Sequence, residues 1–172
     1  MKKNKISKNW INKQKRDIYV RKSKLEGYRS RAIYKLKEID DKFKIIRNGI
    51  KVVDLGSAPG SWSQYLSEKS KNSKILSIDL KDVEKVHNVT HLIGDFLDEK
   101  NQTIISNFFE DKLDLIVSDM AVNTTGNKYL DAISTGELSI NAMEFSVRNL
   151  KKDGSFVSKI FMGSTFNEIV EN

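Results

Sequence analysis

The chain has 172 residues, of which 38% are hydrophobic and 31% charged, which is enough apolar material for the core of one domain. It contains no cysteine and two histidines, so disulfides, thiolate catalysis and cysteine-based metal sites are excluded, and a histidine-rich metal site is not expected. No apolar run reaches the roughly 18 residues needed to cross a bilayer, and the sequence does not open with a signal peptide. We expect a cytoplasmic monomer without a metal and without a membrane partner.

The positive charge is concentrated in the front part of the chain. The net charge is +7, but residues 1–50 hold 17 Lys and Arg against 5 Asp and Glu, whereas residues 51–172 hold 13 against 18. Such a segment attracts polyanions without sequence selectivity. We therefore predict contact with nucleic acid, with an anionic membrane surface as the alternative. Residues 1–28 are interpreted as a basic, partly disordered arm, and residues 29–172 as a single domain.

The remaining chain alternates between helical and strand patterns. Ile33, Leu36, Ile39 and Phe43 recur at helical spacing, and Ser30 is the predicted N-cap. Short apolar runs predict strands at residues 51–55, 75–80, 89–93, 113–118 and 155–161. Helical patterns lie between them, the longest at residues 138–150. The alternation predicts an α/β fold with a mostly parallel, twisted sheet and helices on both faces.

The first strand leads into a glycine turn, VVDLGSAPG, and a helix begins near Trp62. Gly56 and Gly60 stand four residues apart, whereas a dinucleotide site requires the spacing G-x-G-x-x-G. A nicotinamide dehydrogenase, the competing enzyme class, is therefore disfavoured. The spacing suits a ligand with an amino acid and a sulfonium, S-adenosylmethionine, and Asp54 is expected to hold the turn. A tight turn without a ligand is the alternative.

Acidic residues follow the next three predicted strands, at Asp79, Asp95 and Asp119. The carboxyl ends of parallel strands meet at one crevice, so these residues are expected to converge on one ligand. We expect Asp79 to bind the ribose hydroxyls of the cofactor and Asp95 to lie near its adenine. A single aspartate at a strand end is often only a turn former or a helix cap.

Four segments, in this order, resemble the FtsJ/RrmJ family: YRSRAIYKL, VVDLGSAPGSWSQYL, SDMAVNTTG and GSFVSKIF. The likeness extends from about residue 17 to residue 170. It implies a Rossmann-like, S-adenosylmethionine-dependent methyltransferase that modifies a uridine ribose 2′-hydroxyl in large-subunit (23S) rRNA of the ribosomal particle. The alternatives are a tRNA 2′-O-methyltransferase and an RNA-binding or ribosome-assembly factor without turnover.

The resemblance also implies roles for individual residues. The implied cofactor contacts are Gly56, Gly60, Trp62, Asp79, Asp95 and Asp119. Three of the family's four catalytic positions are matched by Lys35, Asp119 and Lys159. The sequence departs from the family pattern at Ser61, where glycine is usual, at Val122, where proline is usual, and at Ser158, where an apolar residue is common.

Methyl transfer to a ribose hydroxyl requires a base and close placement, because the alcohol must lose its proton as attack proceeds. Lysine in water is protonated at neutral pH, so Lys159 or Lys35 can be the base only after it loses that proton. The sequence leaves open which lysine this is, and Asp119 is expected to orient Lys159. Arg29 and Arg31 are expected to contact RNA phosphates.

In the resembled family, two more strands and a fourth catalytic residue, a glutamate, follow the fifth strand. Here a helical pattern at residues 165–170 precedes the last residue, and Glu168 and Glu171 lie too early to match that glutamate. We therefore expect a domain that is incomplete at its C-terminus, with its last strands missing, a formed cofactor site and impaired turnover. The alternative explanations are that the sequence is a fragment of a longer in-frame product and that the remaining residues were lost through a frame error.

Overall fold

The structure, a computed structural model, describes residues 17–122 and 125–160. The helices in these residues are α1 (Ile18–Leu25), α2 (Ile33–Phe43), α3 (Ser61–Lys69), α4 (Glu99–Phe109) and α5 (Lys128–Asn149). The strands are β1 (Lys51–Leu55), β2 (Lys74–Asp79), β3 (Val89–Ile93), β4 (Leu113–Ser118) and β5 (Leu150–Ser158). None of the described helices has both the length and the apolar character needed to cross a bilayer.

The strands form one parallel sheet in the order β3-β2-β1-β4-β5. β1 lies at its centre, where Val52 pairs with Ile75 of β2 and with Leu115 of β4. The bounds of β1, β3 and β4 match the predicted ones, and β2 begins and ends one residue earlier than predicted. The predicted α/β class with a parallel sheet is confirmed.

Helices cover both faces of the sheet. Leu36 of α2 packs with Val52 in the core on one face, together with residues of α3. Phe145 of α5 packs with Val53 in the core on the other face, together with residues of α4. Successive strand residues point to opposite faces, and both faces of β1 are covered. Val52 and Val53 therefore face different cores, and β1 is apolar except at Lys51 and Asp54.

Helix α5 begins at Lys128, ten residues before the predicted start. The side chain of Asn127 caps it by accepting hydrogen bonds from two N–H groups of the first turn. Asp131 and Thr135 are buried in its first half at 7% and 0% exposure. Small polar residues on the packed face hide the helical periodicity that an apolar pattern would show.

Strand β5 begins at Leu150 rather than at residue 155. The register with β4 shifts between the pairs Leu113 with Leu150 and Leu115 with Ser155. The strand therefore accommodates extra residues in a bulge, which bends its first half. The strand ends at Ser158, so Lys159 and Ile160 follow it rather than belonging to it as predicted. The predicted last residue, Phe161, and the predicted helical pattern at 165–170 lie outside the described residues.

Part of the predicted arm is the helix α1. The Tyr19 ring lies 5.3 Å from the Tyr34 ring of α2, and Ser23 is buried at 2% exposure. Lys22 Nζ lies 4.9 Å from the centre of the Tyr34 ring, whereas Ile18 is 77% exposed. The helix therefore contacts the domain without an amphipathic apolar stripe. Residues 1–16 of the arm lie outside the described residues.

The beginning of α2 also differs from the prediction. Its N-cap is Ala32, and Ser30 lies two residues before, where its Oγ accepts the Ala32 N–H at 3.2 Å. Phe43 is 62% exposed, whereas Asp40 is buried at 6% and accepts a hydrogen bond from the Tyr65 hydroxyl at 3.1 Å. The packed face of α2 therefore includes an acid in place of one predicted aromatic residue.

Candidate functional site

The candidate site lies at the carboxyl-terminal edge of the sheet. Leu55 pairs with Ile78 of β2 and Ser118 of β4, and Ser118 pairs with Ser158 of β5, so these strands end in one row. The glycine turn follows β1, and predicted site residues end or directly follow the other three strands. The fold thus brings together segments that are far apart in the sequence.

Both glycines of the turn adopt left-handed backbone conformations, with φ of +75° at Gly56 and +101° at Gly60. A Cβ on Gly56 would lie 2.8 Å from the Cα of Met120. A Cβ on Gly60 would overlap the Arg29 guanidinium and lie 2.8 Å from Val83 Cγ1. Both the turn and the close approach of neighbouring segments therefore require glycine at these positions.

Asp79 holds the glycine turn through its carboxylate. Its Oδ2 accepts the Ala58 N–H at 2.9 Å, and its Oδ1 accepts the Lys81 N–H at 2.9 Å. A carboxylate has about four acceptor positions, so Asp79 retains capacity for a ligand hydroxyl. Asp95 is exposed, and its Oδ1 accepts the Leu97 N–H at 2.9 Å, which is the turn-forming role that the sequence left open.

Asp54 is fully buried, at 0% exposure, in the strand before the turn. Ser63 Oγ donates a hydrogen bond to its Oδ2 at 2.6 Å. Among the described residues, Asp54 Oδ1 and Ser57 Oγ are buried without a hydrogen-bond partner. Both residues line a small cleft under the turn, together with Trp62 and Asp119. Buried polar groups are normally paired, so these two atoms are available to hydrogen-bond a polar group or a water in the cleft.

Burial raises the pKa of Asp54 from 3.8 to about 7. The charges of Asp119 and Asp79 raise it as well, whereas the hydrogen bond from Ser63 lowers it. Desolvation is the largest of these effects, because it penalises the charged carboxylate. A cationic ligand beside Asp54 would favour its ionised form.

Asp119 contacts both predicted catalytic lysines. Its Oδ1 lies 2.7 Å from Lys159 Nζ and 3.6 Å from Lys35 Nζ. Lys159 Nζ also donates to the backbone oxygen of Asp119 at 2.9 Å. The Lys159 side chain is 19% exposed and that of Lys35 is 53% exposed. The structure therefore brings these three residues into one cluster, with one shielded amine and one solvated amine.

Trp62 is a buried residue at 3% exposure that joins α3 to the beginning of α2. Its Nε1–H donates to the Ala32 backbone oxygen at 2.8 Å. It belongs to the core on this face of the sheet and also lines the cleft under the turn. The core role left open by the sequence is therefore present, and the edge of the same residue adjoins the candidate ligand site.

The structure uses Arg29 differently from the predicted RNA contact. Its guanidinium donates to the backbone oxygens of Pro59, Glu84 and Lys85, and the side chain is 16% exposed. Sequence reasoning could not find this role, because the acceptors are backbone oxygens at least 30 positions away. The buried position of Asp54 beside the cleft did have a signal, since it is an acid inside an otherwise apolar strand.

Comparisons with known proteins identify similar chains. Residues 28–172 match the model of the FtsJ-like methyltransferase family. The chain is 62% identical over 170 residues to ribosomal RNA large subunit methyltransferase E of Pelagibacter ubique, covering 99% of this chain and 84% of that protein. It is 45% identical to the Rickettsia akari protein of the same name, covering 95% of this chain and 75% of that protein.

Solved structures show the same fold. A candidate ribosomal RNA methyltransferase from Plasmodium falciparum superposes with a TM-score of 0.72 at 33% identity, covering 83% of each chain. The MycE methyltransferase of the mycinamycin biosynthetic pathway superposes with a TM-score of 0.55 at 14% identity, covering 81% of this chain and 35% of that one. The second likeness concerns the fold alone.

Proposed function

Because the chain belongs to the FtsJ-like methyltransferase family, we propose that it transfers a methyl group from S-adenosylmethionine to a uridine ribose 2′-hydroxyl of large-subunit (23S) rRNA. The observation that carries the proposal is the cluster of Lys35, Asp119 and Lys159 beside the cleft under the glycine turn. Two amines around one carboxylate suit the removal of a proton from an alcohol. The names of the Pelagibacter and Rickettsia relatives support large-subunit rRNA as the substrate.

The residues of the cleft fit the proposed cofactor. The unpaired Asp54 Oδ1 and Ser57 Oγ suit the ammonium group of its amino-acid end. Asp79 is assigned to the ribose hydroxyls and Asp95 to the adenine end, since both lie at neighbouring strand ends. The remaining assigned contacts of this cofactor are Gly56, Gly60, Trp62 and Asp119.

When bound, S-adenosylmethionine supplies a methyl group activated by its sulfonium sulfur. Lys159 is assigned as the base: its Nζ, after releasing its own proton to solvent, accepts the proton of the ribose 2′-hydroxyl as the oxygen attacks. Asp119 fixes the position of that amine through Oδ1 and its backbone oxygen. The more exposed Lys35 is assigned to stabilise the negative charge that develops on the ribose oxygen.

The charge distribution supports an RNA substrate. The net excess of Lys and Arg lies in residues 1–50, and this part of the chain includes α2 with Lys35 of the cluster. Positive charge in this part of the chain attracts a polyanionic substrate. We assign the reaction to the cytoplasm, where bacterial ribosomal particles are found.

The test compares the unaltered protein with Lys159→Met, using methyl-labelled S-adenosylmethionine and large ribosomal subunits that lack the modification. We expect label in 23S rRNA with the unaltered protein. The rate should fall by about 100-fold or more in the variant, the usual effect of removing a general base. Calorimetric titration should show that the variant binds S-adenosylhomocysteine within about threefold of the unaltered protein, because Lys159 is not assigned to the cofactor.

Lys152→Met is the matched control, because Lys152 is an exposed lysine of β5, the strand that ends directly before Lys159, and it lies outside the Asp119 cluster. It should retain the methylation rate. Binding of subunits without any methyl incorporation would instead identify an assembly factor. Label confined to tRNA would overturn the rRNA assignment, and tight nicotinamide binding without S-adenosylhomocysteine binding would overturn the methyltransferase assignment.

A further inference from the structure

We propose that Arg29 is a positioning residue of the cofactor site, which holds the glycine turn and the segment after β2 at a fixed separation. The inference rests on the proposed function, because S-adenosylmethionine is the ligand whose binding this arrangement would assist. Arg29 acts through main-chain atoms of both segments. It is not assigned a contact with the cofactor or with RNA.

The guanidinium of Arg29 joins two segments that are distant in sequence. Nη1–H donates to the Pro59 backbone oxygen at 3.2 Å and to the Glu84 backbone oxygen at 2.6 Å. Nη2–H donates to the Lys85 backbone oxygen at 3.1 Å. Hydrogen bonds from a charged donor are about twice as strong as neutral ones, so three of them form a firm connection.

The backbone of Arg29 is itself fixed to α3. Its N–H donates to Gln64 Oε1 at 3.1 Å. The next residue, Ser30, has its Oγ 2.7 Å from Ser61 Oγ in the first turn of α3. The Trp62 bond to the Ala32 backbone oxygen continues the same line of contacts. The arginine side chain therefore starts from a rigid attachment beside the turn.

The two connected segments border the crevice at different points. Pro59 belongs to the glycine turn under which Asp54 is buried, whereas Glu84 and Lys85 follow Asp79, the residue assigned to the cofactor ribose. Gly60 lies so close to Val83 that a Cβ on Gly60 would be only 2.8 Å from Val83 Cγ1. The hydrogen bonds of Arg29 therefore link the segment assigned to the amino-acid end of the cofactor with the segment assigned to its nucleoside end.

The geometry favours arginine for a reason beyond its charge. The Glu84 carboxylate is 3.9 Å from Nη2 and 89% exposed, so this ion pair contributes little. The planar guanidinium presents several donors in a fixed fork, whereas a lysine ammonium is a single point with flexible attachment. Lysine would keep the charge but would not hold both segments in the same arrangement.

The consequence for binding is preorganisation. With Arg29 in place, the two segments are already held together before the cofactor arrives, so less conformational freedom is lost on binding. Without it, this ordering must accompany binding, and the affinity for the cofactor falls. The chemical step depends on Lys35, Asp119 and Lys159, which Arg29 does not contact in the described residues.

The experiment compares Arg29→Met and Arg29→Lys with Arg31→Met. Arg31 is the matched control, because it lies two residues away, is 53% exposed and pairs with Asp17 rather than with the turn. In Arg29→Met, the dissociation constant of S-adenosylhomocysteine and the KM for S-adenosylmethionine should rise by about tenfold or more. The kcat at saturating cofactor should stay within about threefold.

Arg29→Lys should recover only part of the lost affinity, because the fork is absent although the charge remains. Arg31→Met should leave the affinity for S-adenosylhomocysteine unchanged. The proposal is overturned if Arg29→Lys binds S-adenosylhomocysteine as the unaltered protein does. It is equally overturned if both Arg29 variants keep that affinity and weaken RNA binding instead.

A measurement without cofactor separates this inference from the proposed function. Hydrogen exchange of backbone amides in residues 56–62 and 83–86 should be faster in the Arg29 variants than in Arg31→Met, with all proteins shown to be folded by thermal melting. Unchanged exchange in both segments contradicts the role of Arg29. If the unaltered protein binds no S-adenosylhomocysteine, the proposed function fails, while faster exchange would still establish the connection between the segments.

Discussion

Asp54 is an acid enclosed in an otherwise apolar strand, and its burial opposes its charge. Its pKa of about 7 lies above the ordinary value of 3.8, so the folded protein retains this proton at a pH where the unfolded chain has lost it. Folding stability without cofactor is therefore greatest below about pH 4 as far as this group is concerned, falls as the pH rises toward 7, and levels off above it.

The first prediction concerns Asp54→Asn, which stays neutral at every pH. The variant should be more stable than the unaltered, cofactor-free protein at pH 8, by at most about 4 kcal/mol, and the advantage should be smaller at pH 5. Urea unfolding at the two pH values measures this difference. The same variant should bind S-adenosylhomocysteine more weakly, because the amide lacks the negative charge assigned to the ammonium group.

The variant Ser63→Ala keeps the Asp54 carboxyl group and changes its pKa. It removes the hydroxyl that lowers the pKa of Asp54, so the fall in stability should still begin near pH 4 but should continue to a higher pH than in the unaltered protein. A stability difference between Asp54→Asn and the unaltered protein that is equal at pH 5 and pH 8 would contradict the buried-charge explanation.

Helix α5 is stabilised by its N-cap residue, Asn127, and the effect of losing this cap can be measured. Asn127 Oδ1 accepts the N–H groups of Tyr129 at 3.1 Å and Leu130 at 3.4 Å. We predict that Asn127→Ala lowers the free energy of unfolding by about 1 kcal/mol, the usual effect of losing an N-cap. Chemical denaturation measures the change, and Asn127→Asp should recover most of the loss.

Asn141→Ala is the control for this prediction within the same helix. Asn141 is exposed, and its Nδ2 donates only to the Glu137 backbone oxygen one turn earlier. Alanine has the higher helix propensity, so this variant should be neutral or slightly stabilising. A loss of stability in Asn141→Ala as large as that in Asn127→Ala would show that the cap is not the cause.

Elements formed by local patterns could be predicted from the sequence, and elements that depend on distant contacts could not. The apolar runs at β1, β3 and β4 are bounded by turn residues, so their limits follow from composition. The first half of α5 was hidden because its buried face includes Asp131 and Thr135, at 7% and 0% exposure. Buried polar residues give no apolar signal in the sequence.

The same distinction between local patterns and distant contacts applies to the residues of the candidate site. The glycine turn and the acids at the strand ends have local signals, because turn geometry and parallel strands constrain them. Lys35 lies on a polar helix face among other lysines, so only the resemblance selects it. The role of Arg29 depends on the backbone oxygens of residues 59, 84 and 85. Every residue has a backbone oxygen, so the sequence does not indicate which of them accept a hydrogen bond from Arg29.

At the scale of the whole molecule, the charge of the arm leads to a prediction about salt. Residues 1–16 carry seven Lys and Arg and no acid. Deleting them should weaken RNA binding and reduce the slope of log affinity against log salt, because fewer counterions are released. Fluorescence titrations with large-subunit rRNA at several salt concentrations measure both effects.

The deletion ends before Asp17, because α1 packs on the domain and Arg31 pairs with Asp17. The affinity for S-adenosylhomocysteine should therefore be nearly unchanged in the shortened protein. An unaltered affinity and salt slope for RNA at physiological ionic strength would contradict the role given to these charges. Loss of cofactor binding would instead show that the arm contributes to the site.

The central place of β1 has a consequence for the order in which the chain folds during synthesis. β1 leaves the ribosome well before β4 does. The end of β1 nevertheless depends on residues that follow β4, because the Asp119 N–H donates to the Leu55 backbone oxygen at 3.1 Å and Met120 lies against Gly56. Until residue 120 has emerged, one edge of β1 has no strand beside it and the glycine turn lacks one of its walls. The cofactor cleft is therefore a late product of translation, completed only after most of the described chain has been made.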